Sequence, residues 1–119
     1  TVDEAAAQFP KTRFVMCHFG NPWLPDAAAV LEKNANVFAD LSGLLEGLFD
    51  LDELFEENSG YFSLLRTWLG YAGGYEKVMY GTDWPLVNME QYIHFMQRLI
   101  PEKHHEKVFY QTAKHVYHL

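Results

Sequence analysis

The chain has 119 residues, 49% of them hydrophobic, enough for one domain around one core. It carries 16 acidic against 9 basic residues, a formal net charge of −7, and a field of that sign repels phosphate backbones and anionic lipid, which argues against nucleic acid and membrane surfaces as partners. No apolar run approaches the roughly 20 residues that cross a bilayer. The single cysteine, Cys17, can close no internal disulfide, so a soluble protein of a reducing compartment, the cytoplasm, is expected.

The chain opens on Thr1 and runs directly into "VDEAAAQF", with no basic-then-apolar leader, so it is expected to begin inside a domain. Val2 to Phe9 reads as a short helix stopped near Pro10. "RFVMCHFG", residues 13 to 20, is a continuous apolar run of the kind that forms a parallel strand covered on both faces. "NPWLPDAAAVLEKN" supplies a turn and a helix from Asp26 to about Asn34. "NVFADLSG" is a second strand, closed by Ser42 and Gly43. Helical stretches follow over Leu44 to Glu57 and Tyr61 to Tyr71, separated by Asn58-Ser59-Gly60 and ended by Gly73-Gly74. "KVMYGTD" is the third strand. A helix over Met89 to Leu99, Pro101 and a last helix from Glu102 to Val116 complete the order αβαβααβαα.

Strands alternating with helices give right-handed crossovers and a parallel sheet, the α/β class, in which chemistry gathers at the carboxyl ends of the strands. His18 ends the first strand and Asp83 the third, where an active site is built. Strand alternation places Phe14, Met16 and His18 on one face, and Met79, Gly81 and Asp83 on one face of their own strand. Gly81 leaves room beneath Asp83 for a ligand or for close packing.

"FVMCHFGNPWLPDAAAVLEKNANVFADLSG", "EKVMYGTDWPL" and "EKVFYQTAKHVYHL" together resemble the carboxyl-terminal half of the amidohydrolase-2 family of metal-dependent hydrolases, whose pattern runs H-x-G, D-L-S-G, G-[ST]-D-x-P and a closing helix. The resemblance covers nearly the whole chain and is specific because four segments stand in order at the right spacing. It implies a TIM (β/α)8 barrel whose last three strands lie here, so residues 1–119 form a single partial barrel domain. A complete barrel needs about 250 residues, which also makes the chain a fragment.

The same resemblance implies that Asp83 binds a divalent metal, zinc, and takes a proton from the attacking water, and that His18 binds metal or polarises the substrate. The substrate is then a small molecule of carbonyl or carboxylate type, undergoing hydrolysis, hydration or decarboxylation. The family's amino-terminal H-x-H pair and its fifth-strand ligand have no counterpart in the sequence, so the metal site is incomplete and the isolated chain is expected to be inactive. Thr112 stands where the family usually has asparagine.

Plainer roles stand beside these. Asp83 can cap the helix that follows, His18 can be a hydrogen-bonded core histidine, and Asp40, next to Ser42 and Gly43, suits structural hydrogen bonding. Trp23 and Trp84 either line the substrate mouth or plug the barrel top. His104, His105, His115 and His118 are expected to be solvated, and Cys17 to be inert packing that points away from His18. The competing function is a non-catalytic α/β module associating through its sheet. A partial barrel also leaves a lumen face wet, and burying Phe14, Met16, Phe38 and Met79 is worth roughly 1.5–3 kcal/mol each. The missing barrel half or another copy of the chain, in an oligomer, is therefore the expected partner.

Overall fold

A computed structural model describes residues 1–119. Thr1 opens helix α1 (Val2–Gln8) through a capping box, its hydroxyl accepting from the Glu4 N–H while the Glu4 carboxylate accepts from the terminal amine. Three strands, β1 (Phe14–Met16), β2 (Val37–Asp40) and β3 (Val78–Met79), pair in parallel in that order. Val15 lies opposite Phe38, and Asp40 opposite Met79.

One face of this sheet carries the main core. Val37, Ala39 and Val78 pack with helices α2 (Leu24–Lys33), α4 (Ser59–Tyr71) and α5 (Met89–Leu99) in a cluster of 22 buried residues, and the partly buried Phe14 and Met16 pack against it. Phe62 sits between Phe55, from α3 (Leu51–Glu57), and Phe95, with ring centroids 4.5 and 5.5 Å away. Two cations finish helix ends: the Lys77 Nζ donates to the Leu31 and Asn34 carbonyls, and the Arg66 guanidinium to those of Leu99 and Arg98.

The other face is smaller and not bare. Phe38 and Met79, with Val15, pack against Ala113 and Val116 of α6 (Thr112–Tyr117). Arg13 holds that helix in place by donating to the His115 and Val116 carbonyls, both at 2.9 Å. This corrects the expected wet lumen face in two ways. Phe14 and Met16 belong to the helix-covered side, and Phe38 and Met79, 7% and 2% exposed, are already buried within the chain.

The elements also differ in extent. The three strands are shorter than their apolar runs because the backbone leaves the ladder early: Cys17–Gly20 is a tight turn, and the Tyr80 N–H donates to Val108 rather than to a strand. The helix expected from Leu44 begins only at Leu51, under an Asp50 cap. Before it, Gly47 takes a φ of +74° and bridges Val87, and the Leu44 N–H goes to the Tyr92 hydroxyl, so the segment is not helical. The closing helix runs on as expected but changes pitch, from a 3₁₀ turn (Glu102–His104) through a π turn (Lys107–Gln111) to α6, with right-handed helical backbone at the junctions. No helix is long and apolar enough to cross a membrane.

Candidate functional site

The parallel strands all point their carboxyl ends at one rim, and the residues that follow β1, β2 and β3 build it. After β1 the backbone turns left-handed at His18, Phe19 and Gly20, with φ of 59°, 50° and 67°. His18 is thereby swung off the strand, not aligned with Phe14 and Met16 as alternation suggests. Its Nδ1 lies 2.9 Å from the Ser42 carbonyl and 3.1 Å from the Ser42 Oγ. A carbonyl can only accept, so Nδ1 carries a proton, and in the neutral ring Nε2 is then the nitrogen with the lone pair.

Asp40, at the end of β2, gathers donors. Its Oδ1 accepts from the His18 N–H at 3.1 Å, the Ser42 N–H at 3.0 Å, and the Ser42 hydroxyl. The expected structural role of Asp40 is what these bonds describe. Two glycines allow the approach: a Cβ on Gly43 would overlap the His18 imidazole, and one on Gly81 would press on Ser42 and Asp40 at 3.2 and 3.5 Å. Gly81 thus serves close packing between β3 and β2.

Asp83 stands on the loop after β3 with a φ of 64°, exposed. Its carbonyl accepts from the Leu86 N–H, while the neighbouring Trp84 N–H goes to the Thr82 hydroxyl. It does not cap the following helix. Asn88 does, accepting from the Gln91 N–H at 3.0 Å. Trp23 and Trp84 are 68% and 69% exposed, each beside a cis-proline bond, so neither plugs the domain.

Cys17 is corrected outright, for it is exposed rather than packed. The Asp40 charge, then partial burial, a hydrogen bond to Asp40 and the Asp83 charge push its thiol up. Nearby anions disfavour the thiolate, so at a given pH less of it forms than in a free cysteine. Alkylation by iodoacetamide is expected to be slow at neutral pH despite the exposure, its rate–pH curve displaced to higher pH. Asp40→Asn should move that curve back down, and a curve already matching a free thiol would refute the assignment.

Of the other histidines, His104 stacks on Tyr75 at 4.5 Å and His105 meets the Ile100 carbonyl at 2.9 Å, so these two are partly buried rather than fully solvated. His118 lies 2.7 Å from Arg13 Nη1, and His115 is exposed. Thr112 is buried, with its hydroxyl 3.5 Å from the Glu76 carbonyl.

His18 and Asp83 both follow the carboxyl ends of their strands, and the charges of Asp40 and Asp83 both reach Cys17, yet no hydrogen bond joins His18 to Asp83 and no three His, Cys, Asp or Glu side chains converge to hold a metal ion. The largest concavity, about 360 Å³, lies at the opposite end of the sheet among Phe38, Glu76, Lys107 and His115. The sequence reading passed over Ser42 and Gly43 as partners of His18. The Asp-x-Ser-Gly spacing, which returns a serine to its own strand-end carboxylate, is the signal that marks them.

Comparison with known proteins gives a consistent result. Among curated proteins none matches the chain significantly. Solved structures do. An amidohydrolase from Burkholderia multivorans, with bound zinc, is 22% identical with a TM-score of 0.73, covering 99% of this chain and 48% of its own. The Amidohydrolase 2 of Bifidobacterium longum subsp. infantis is 22% identical, TM-score 0.67, covering 99% and 44%. A TIM-barrel protein of Bordetella bronchiseptica is 18% identical, TM-score 0.69, covering 98% and 38%. The chain thus spans about half or less of the length of the structures it matches, and its three parallel strands with flanking helices have the architecture of the carboxyl-terminal part of a TIM barrel. The amidohydrolase family model matches residues 1–119 from end to end, and the chain belongs to that family.

Proposed function

We propose that this chain supplies the carboxyl-terminal half of a metal-dependent hydrolase site, acting in the cytoplasm on a small carbonyl-type substrate. The observation that carries the reading is the state of the two rim residues: His18, held by Ser42 with its Nε2 lone pair free, and Asp83, a carboxylate to which no group of the chain donates. Asp83 takes the proton of the attacking water as general base. His18 accepts a hydrogen bond at Nε2 or, once protonated there, donates to the developing oxyanion. Trp23 and Trp84 flank the apolar part of the substrate.

Two donors are one short of the three protein ligands of a catalytic zinc site. The chain by itself does not fit the ion. A complementing amino-terminal barrel segment with the H-x-H pair would complete the set with His18 and Asp83, and a divalent ion held there would supply water activation. That segment is the partner this reading requires.

Calorimetry tests the incomplete site. Zinc titrated into the chain alone is expected to bind no tighter than micromolar, with little change on Asp83→Ala. Submicromolar affinity that disappears in Asp83→Ala would show that the chain holds a finished site. The absence of a converging donor set equally suits a non-catalytic module, and the two readings part when the complementing segment is added: zinc affinity rises for the hydrolase and stays weak for the module.

A further inference from the structure

The hydrogen bonds behind His18 imply more than support. Free imidazole in water favours the Nε2–H tautomer, which would turn a donor rather than a lone pair toward the rim. Here the opposite tautomer is imposed by a chain of contacts that begins at Asp40. Its Oδ1 accepts a hydrogen bond from the Ser42 hydroxyl, which leaves the Ser42 Oγ able to act only as an acceptor toward Nδ1. The same oxygen accepts the His18 N–H, holding the left-handed turn that carries the ring, and the Ser42 N–H, holding the carbonyl that Nδ1–H meets at 2.9 Å. Gly43 and Gly81 keep the space on either side free of side chains.

We infer that Asp40 is a positioning residue, acting through Ser42 to lock His18 as its Nδ1–H tautomer with Nε2 presented to the rim. The inference rests on the site reading above in taking Nε2 as the working atom. Asp40 itself touches neither substrate nor reacting atoms in this role. Its carboxylate orients a hydroxyl, and the hydroxyl selects a proton position two groups away.

Nitrogen-15 NMR of the histidine-labelled chain reads the tautomer directly, and does so without substrate or metal. Above the imidazole titration, wild-type His18 is expected to show a protonated Nδ1 and a bare Nε2. Asp40→Asn keeps an acceptor oxygen in place and should retain that pattern. Asp40→Ala, checked for folding by circular dichroism, should shift the population toward Nε2–H. Where Asp40→Ala does not fold, Ser42→Ala replaces it and should weaken the Nδ1–H signal by removing the second acceptor. Nε2–H as the main wild-type tautomer, or an unchanged tautomer in the folded alanine variant, would overturn the inference. A wild-type Nδ1–H pattern together with no hydrolysis in the complemented protein would leave the positioning intact and refute the hydrolase reading alone.

Discussion

Gly43→Ala is expected to cost the chain about 2–5 kcal/mol, from a left-handed penalty of ~1–2 and an overpacking term of ~1–3. Gly43 has a φ of +58°, where a Cβ meets its own backbone, and that Cβ would also fall within the His18 imidazole. Relief requires the ring to leave Ser42, losing a hydrogen bond of about 1 kcal/mol. Against a typical domain stability of about 5–15 kcal/mol this is a large loss. Gly47 is the natural control, with a φ of +74° and no atom within 4 Å of its would-be Cβ. Gly47→Ala should show the backbone penalty alone, about 1–2 kcal/mol. Urea denaturation of both variants separates the terms, and a His18→Gly background should reduce the cost at Gly43 to that at Gly47. Equal costs in the wild-type background would mean that the ring and the glycine do not press on one another.

The contrast between those two glycines shows where sequence reasoning succeeds. Alternation of apolar runs with helical stretches is a long-range pattern, so three parallel strands and the helices expected over 26–34, 61–71 and 89–99 were legible, the first two starting two residues earlier in the structure. His18 and Asp83 were placed at strand ends by the same pattern, and the rim holds both. What failed was parity. Counting two residues per face works only while the backbone stays extended, and the left-handed residues at His18 and Phe19 break the count two residues after Met16. Cys17 consequently emerges at the rim beside Asp40 instead of packing inside. The non-helical path over 44–50 was hidden for a different reason, since Tyr92 and Val87, which fix it, are 40 or more residues away in sequence. The burial of Phe38 and Met79 likewise depends on a helix at the far end of the chain, tied back through Arg13.

Asp83→Asn is expected to have the largest functional effect. Asparagine keeps the shape of the side chain and its left-handed backbone, which Asn tolerates well, but it has no carboxylate to take a proton or to face a cation. A general base contributes about 10²–10⁴ to the rate, so the loss in kcat/KM should reach that range while the melting temperature stays close to wild type. His18→Gln, which removes the Nε2 lone pair presented by the Ser42 contact, should also depress turnover, whereas Trp23→Ala and Trp84→Ala, remote from the proton transfer, should act chiefly on KM. The direct measurement is turnover of an ester, lactone and amide panel by this chain joined with a complementing amino-terminal barrel segment in the presence of zinc, compared between wild type and Asp83→Asn. Hydrolysis that appears only in the joined protein and falls at least about a hundredfold in the variant is the expected result; hydrolysis unchanged by Asp83→Asn would contradict the account.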